Sequence, residues 1–446
     1  MDLNGFQSGK MNFFINNELL LNLNNTYTNS RQYYETLSIF ANLKKWSFNL
    51  TLRANNYYKR DLNNTIPETN FDIFRKTIRY NSKRFKMTIG DLYSVLGHGL
   101  VLSVQKNDTI FRERTILGAD LKYLTKKIDA RFLGGEIIDD TNDQKWRVAG
   151  CEIDLRLSKN NKVGGRLSYI SDVNTLKQLG DRLTYSFNMK GNMLSRNLSY
   201  YAEFAILDFT DTLMNNGQAF YSNLTYNKGH TTMMLEYKNY SDFDNEMNNP
   251  PVADKEDETT SLNDSEGLRV LLQYTLFDPE ISFYLNIGKY REYQDTGSHI
   301  YGGISAIDIG DKFSFDLSYG IKNIIYPIKK YDIDLTWQIS DMISLTISSK
   351  DKRYSDKSFK FNEKDYSFQI AHSKGVILFF IYQYSHNKII GLNNFYNGGL
   401  VLNFKNDMKL NISGGTVRGG QVCSGGQCYI LPPFKGIKFS LLKTFR

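Results

Sequence analysis

No stretch of this 446-residue chain approaches the ~18 uninterrupted apolar residues that a membrane-spanning helix requires, so insertion as a helix is excluded. Cysteine is almost missing, at Cys151, Cys423 and Cys428 only. No nearby histidine or cysteine completes a zinc set around them, so no metal or other cofactor is expected. Histidine is nearly as scarce, with five residues and none in a recognisable nucleophile motif. A hydrolase needs a nucleophile, a base and an orienting group at one site, so no catalytic residue is expected and the protein reads as a non-enzyme. The net charge of +8 comes without a basic cluster or a known binding module, which argues against nucleic acid as a partner. The opening "MDLNGFQSGKMNFF" lacks the basic and apolar regions of a secretory signal. Because the rest reads as an exported protein, we expect that a leader has been removed.

What the chain does have is fine interleaving. Hydrophobic residues make up 41% of it, Tyr and Phe number 30 and 29, and yet the mean hydropathy is −0.44. In "YDIDLTWQIS" Tyr331, Ile333, Leu335, Trp337 and Ile339 alternate with Asp332, Asp334, Thr336 and Gln338. The same period of two runs through 46–54, 150–158, 182–190, 198–207, 280–290, 313–321, 342–349 and 366–373, with no helix-length interruption. A membrane barrel needs only ~9–11 residues per strand, one side set in lipid and the other in the lumen, so its average hydropathy looks soluble.

The connections alternate as well. Eleven tight turns, such as Leu43–Lys45 and Asn81–Arg84, are separated by longer polar segments such as 59–73, 241–266 and 414–436. Short turns at one end and long loops at the other are the asymmetry of an outer-membrane barrel. Eleven hairpins plus one strand at each end predict a single transmembrane, antiparallel all-β barrel of about 24 strands (22–26) over residues 1–446, with periplasmic turns and extracellular loops. A propeller would repeat every ~40–50 residues, and no such self-similarity is present. A dry sandwich core could not hold charge in strand after strand without large desolvation costs. A wet lumen can, and we assign Asp120, Lys122, Asp129, Arg131, Glu152, Asp154, Arg156, Arg166, Glu203, Asp316, Asp332 and Asp334 to it. The last strand, "IKFSLLKTFR", ends with an aromatic residue, Phe445, as exported barrels commonly do.

Two stretches carry a family resemblance. In "IGDLYSVLGHGLVLSVQKNDTIFRERTILGADLKY" (89–123) the matching residues are Gly90, Asp91, Tyr93, Gly97, Gly99 and Leu100. In "GGTVRGGQVCSGGQCYILPPFKGIKFSLLKTF" (414–445) they are Arg418, Gly419, Gly420, Cys423, Ser424, Gly425, Gly426, Cys428 and Gly436. Together they resemble a family of Bacteroidota outer-membrane β-barrels known only as a domain of unknown function. The resemblance implies location and architecture and brings no substrate or catalytic residue.

Three segments stand apart from the repeat. Gly97 and Gly99 flank His98 within 89–111, which permits a sharp bend. The segment reads either as an inward-folded constriction or as a bulged strand. The acidic connection 241–266 contrasts nine carboxylates, counted through Glu266, with one lysine and reads as a solvated extracellular loop. Cys423 and Cys428 in "CSGGQC" lie close enough to bridge a Gly-rich loop, 414–436. Two functions follow: a pore or transporter passing a polar solute through a charged lumen, or a scaffold barrel, its lumen plugged, that binds other envelope proteins. Outer-membrane lipid is the common partner of both.

Overall fold

A computed structural model describes residues 12–24, 30–55, 70–107, 112–139, 145–173, 180–193, 197–210, 216–244, 247–248, 251, 265–277, 280–292, 295–310, 312–323, 327–355, 360–389, 392–405, 407–424, 427–431 and 434–445. Every regular element among them is a β-strand. The large sheet has 25 segments, one of which is the two-residue piece Lys106–Asn107; the other 24 form a closed antiparallel wall. Closure is direct: the strand Asn12–Asn24 pairs with Ser30–Leu43 on one edge and with Phe434–Phe445 on the other, from Ile15 opposite Phe445 to Asn24 opposite Gly436. The count agrees with the reading of about 24 strands from turn spacing.

Alternation decides the faces. Phe132, Ile153, Leu155, Leu167, Phe187, Phe204, Ile333 and Trp337 are exposed, and their neighbours in sequence Arg131, Asp154, Arg166, Asn188 and Glu203 are not. In a closed ring the exposed apolar set faces outward, where hydrocarbon covers it, and the charged set faces in.

Aromatic residues ring this apolar band at both ends. At the tight-turn end Trp46 lies 4.8 Å from Tyr80, which lies 6.2 Å from Phe85. At the loop end Tyr319 and Tyr331 are 4.8 Å apart, Tyr366 stacks on Tyr382 at 6.0 Å, and Tyr382 meets Tyr396 at 5.2 Å. Rings with a polar tip settle where lipid meets water, so the two rows mark the membrane boundaries.

Turns among the described residues are tied to the next strand. Asn81 N–H donates to the Lys45 carbonyl at 2.8 Å, Leu124 to Arg84 at 2.7 Å, Arg156 to Lys127 at 2.8 Å, and Thr444 to Asp407 at 3.1 Å. The tight-turn rim is therefore a bonded hoop. Within the wall Gly90 adopts φ +107, and a Cβ added there would fall on the Lys76 carbonyl oxygen. Gly90→Val should destabilise the barrel by ~1–3 kcal/mol, read as loss of the compact band in unheated detergent gels.

Candidate functional site: an inward hairpin and a charged interior

The strand Phe85–Leu92 leaves the wall part-way up. Asp91 holds the edge it vacates: its Oδ2 accepts from Lys76 N–H at 2.8 Å, and its carbonyl accepts from Thr77 Oγ1 at 2.7 Å. Arg75 donates to the Tyr93 hydroxyl at 2.5 Å. The chain rejoins the wall at Lys106–Asn107. Both pieces pair with the same neighbour, Arg112–Leu124, through Leu92 opposite Ile116 and Lys106 opposite Glu113. Residues 93–105 are thus an excursion inserted in one wall strand.

Inside the barrel the excursion folds as a hairpin of Ser94–Leu96 against Leu102–Val104. Gly97 (φ +65) and Gly99 (φ +85) supply the left-handed residues its five-residue tip needs, on either side of His98. Leu96, Leu100, Val101, Leu102 and Val104 are fully buried. They pack on inward residues of the wall, Ile116, Leu133, Ile137, Trp146, Val148 and Ile170 in one cluster and Tyr201, Ala205, Leu207, Ala219 and Tyr221 in another.

The acidic connection takes part. Immediately after the strand Thr231–Ser241, Phe243 and Met247 turn into the barrel and are fully buried. Ser103 N–H donates to the Met247 carbonyl at 2.6 Å, and Asn248 Nδ2 donates to the Phe243 carbonyl at 2.8 Å. Phe243 and Met247 are apolar in an otherwise acidic stretch, which is the physical reason they seek the dry interior. Residues 252–264 of that connection lie outside the described residues.

Charged side chains clamp the hairpin. Arg131 bonds Asp120 at 2.6 Å and donates to the Val95 carbonyl and the Ser94 hydroxyl, both at 2.8 Å. Lys122 stands opposite Arg131 on one side and Lys86 on the other. Glu203, 1% exposed, accepts from Ser186 Oγ at 2.6 Å, from the Tyr201 hydroxyl and from the His98 backbone N–H at 3.3 Å. Any Cβ at Gly97 would strike that carboxylate. The His98 ring sits 3.8 Å from Tyr201 and 5.7 Å from Tyr221. Loss of water around it lowers the His98 imidazole pKa from its ordinary value, a shift that the Glu203 charge opposes.

Beneath the tip, Arg166 (1% exposed side chain) bonds Glu152 at 2.7 Å, Asp154 at 3.0 Å and Asn188, and Lys190 closes on Asp154 at 2.7 Å. Lower down, Asp129 is held by Lys162 at 2.7 Å and Arg156 at 3.1 Å. Beyond the arc that the hairpin covers, the arrangement changes. Asp316 and Asp334 face each other across two strands, Asp332 lies one inward position further along, and Asp316 is exposed. Neither Asp316 nor Asp334 makes an ion pair among the described residues.

Sequence reasoning named Glu203 and Arg166 and missed Ser186, Asn188, Tyr201, Tyr221 and Met247. A signal was available. "LSYYAEFAIL" is apolar at inward positions, Tyr201, Ala205 and Leu207, as well as outward ones, and a wet lumen would not ask for that. Cys423 and Cys428 stand directly opposite each other in the pairing of Gly420–Ser424 with Gln427–Leu431; their side chains lie outside the described residues. Cys151 faces outward as a free thiol in the wall. Among the described residues no group of three or more His, Cys, Asp or Glu is arranged to hold a metal ion.

Solved structures share this architecture. The chain superimposes on one from the E. coli P pilus tip assembly intermediate PapC-PapD-PapK-PapG with a TM-score of 0.58 and 9% identity, covering 99% of this chain and spanning 62% of that one. It superimposes on the copper transporter OprC with a TM-score of 0.52 and 10% identity, covering 98% of this chain and 81% of the other. At such identities the likeness establishes the fold alone, a large closed antiparallel β-barrel. No curated protein matches the sequence. The profile of one family, described as a family of unknown function (DUF6029), matches residues 23–375, and the chain belongs to that family.

Proposed function

We propose that the protein is an outer-membrane pore or transporter that passes a polar solute along the inner arc its hairpin leaves uncovered. The observation that carries this reading is the contrast between the two arcs. Under the hairpin, Arg131 and Arg166 are paired with inward carboxylates and little exposed; on the strands Phe313–Asn323 and Pro327–Ser340, Asp316 and Asp334 make no ion pair among the described residues. Unpaired carboxylates in a narrow aqueous passage raise the local cation concentration and repel anions. Asp316→Asn with Asp334→Asn should lower the cation-to-anion permeability ratio several-fold in planar bilayers while the barrel stays folded. An unchanged reversal potential in a salt gradient would remove the support for solute passage on this arc. The two carboxylates also repel each other across the strand pair, so the same change should leave stability equal or slightly higher.

A second reading is a scaffold barrel for other envelope proteins, and the dry filling of one arc by the hairpin of residues 93–105 with Phe243 and Met247 favours it. A folded but silent barrel in the same bilayers, co-purifying with an envelope partner, would select it. The resemblance of 89–123 and 414–445 supports an origin in Bacteroidota, and the transport named for OprC supports transport in general without naming a solute.

A further inference from the structure

At the tight-turn end the first three wall turns carry six cations and no carboxylate: Lys44 and Lys45, Lys83 and Arg84, Lys126 and Lys127. All six are exposed, and none enters an ion pair among the described residues. Consecutive turns are two strands apart, so the cations span an arc of roughly 20 Å. Their positions are fixed, because the Lys45, Arg84 and Lys127 carbonyls each accept a hydrogen bond from the adjoining strand.

Two further features of the same strands face outward. The aromatic row Trp46, Tyr80 and Phe85 begins one residue from Lys45 and Arg84, which puts the cations at headgroup depth. Behind the row, on the lipid side, lies an apolar concavity of about 830 Å³. It starts at the pair Ala41–Phe48, two residues in from Leu43–Trp46, and Ile78 and Ile89 flank it. The wall is recessed there because the outward pair Ala119–Gly134, next to Ile89, leaves nothing larger than a methyl group over the backbone.

We propose that this arc is a binding site for an anionic phospholipid of the leaflet facing the tight turns, its phosphate held by the turn cations and an acyl chain laid in the recess. The groove selects lipid over a soluble acidic protein, which would meet the cations and leave the recess empty. The proposal rests on membrane insertion of the barrel and is independent of what the lumen passes.

The test uses the full barrel in neutral detergent, offered equal amounts of phosphatidylglycerol and phosphatidylcholine with matched chains and read by the lipid retained after purification. The wild-type protein should enrich phosphatidylglycerol several-fold. Lys45→Gln, Lys83→Gln, Arg84→Gln and Lys126→Gln together should abolish the enrichment; all are exposed, and folding is checked by gel mobility. Gly134→Leu should lower retention of both lipids with every cation in place. The wall has room for that side chain, since the nearest atom to an added Cβ is the Val148 oxygen at 3.6 Å. Equal retention of the two lipids by the wild-type protein overturns the proposal, as does enrichment that survives the charge variant or retention unaffected by Gly134→Leu. Displacement of phosphatidylglycerol by millimolar inorganic phosphate alone also overturns it, in favour of a free-phosphate site.

Discussion

Replacing residues 94–104 with a short Gly-Ser bridge should raise single-channel conductance several-fold in planar bilayers. The wall does not depend on the excised segment. The hairpin makes its own two-stranded sheet, and the points where the chain leaves and rejoins the wall pair with Ile116 and Glu113, three residues apart on one neighbouring strand. What the hairpin does supply is volume and a dry lid over Leu133, Ile137, Trp146 and Val148. Uncovering these side chains lowers stability, but the interstrand ladder keeps the ring closed. Glu203→Ala is the gentler version. It removes the acceptor shared by Ser186, Tyr201 and the His98 N–H, leaves the hairpin attached at its base through Arg131, and should give a flickering conductance between the two extremes. Identical conductance in all three proteins would show that the hairpin does not limit the passage.

The second large effect is on stability. Arg166→Met should destabilise the barrel by ~3–5 kcal/mol, because among the described residues it removes the ion-pair partner of the partly buried Glu152 and leaves the buried carboxylate of Asp154 with Lys190 alone. A matched control lies on the outer face, where Arg291 bonds Glu266 at 3.3 Å with the two side chains 60% and 42% exposed. Arg291→Met should change stability by no more than ~1 kcal/mol, since exposed ion pairs contribute little. Urea midpoints followed by gel mobility compare the two directly. If both variants shift alike, the interior is wetter than its burial indicates.

These two cases show what could be read from the chain and what could not. The wall was legible because a strand with oil on one side and water on the other must alternate, and because turn lengths alternate as well. Asp332 and Asp334 in "YDIDLTWQIS" fall on the inner face for that reason alone. The hairpin was legible only as one of two alternatives. Gly97 and Gly99 permit an inward fold, but "LYSVLGHGLVLSV" is also apolar enough to be a bulged wall strand, and only the apolar inward positions of the strands that face it tip the balance. Partnerships were hidden for another reason. Glu152 meets Arg166 because the turn at 157–160 sets the register that way, and Glu203 collects donors from its own strand, the neighbouring strand and the hairpin tip. A one-residue slip would move every charged side chain to the opposite face.

The ring is completed between residues as far apart as Asn16 and Thr444, whose side chains bond at 3.2 Å. Until that pair forms, the first strand presents an unsatisfied edge, and in hydrocarbon such an edge is untenable. The pairing of these two strands is also the most distant in sequence among the described strand pairs, so the entropy of bringing its ends together is the largest of them. Synthesis from the N-terminus therefore leaves an open, adhesive ribbon for as long as translation and export take. Circular permutation at a tight turn would move that vulnerable join to another strand pair while keeping the interstrand ladder of the finished cylinder.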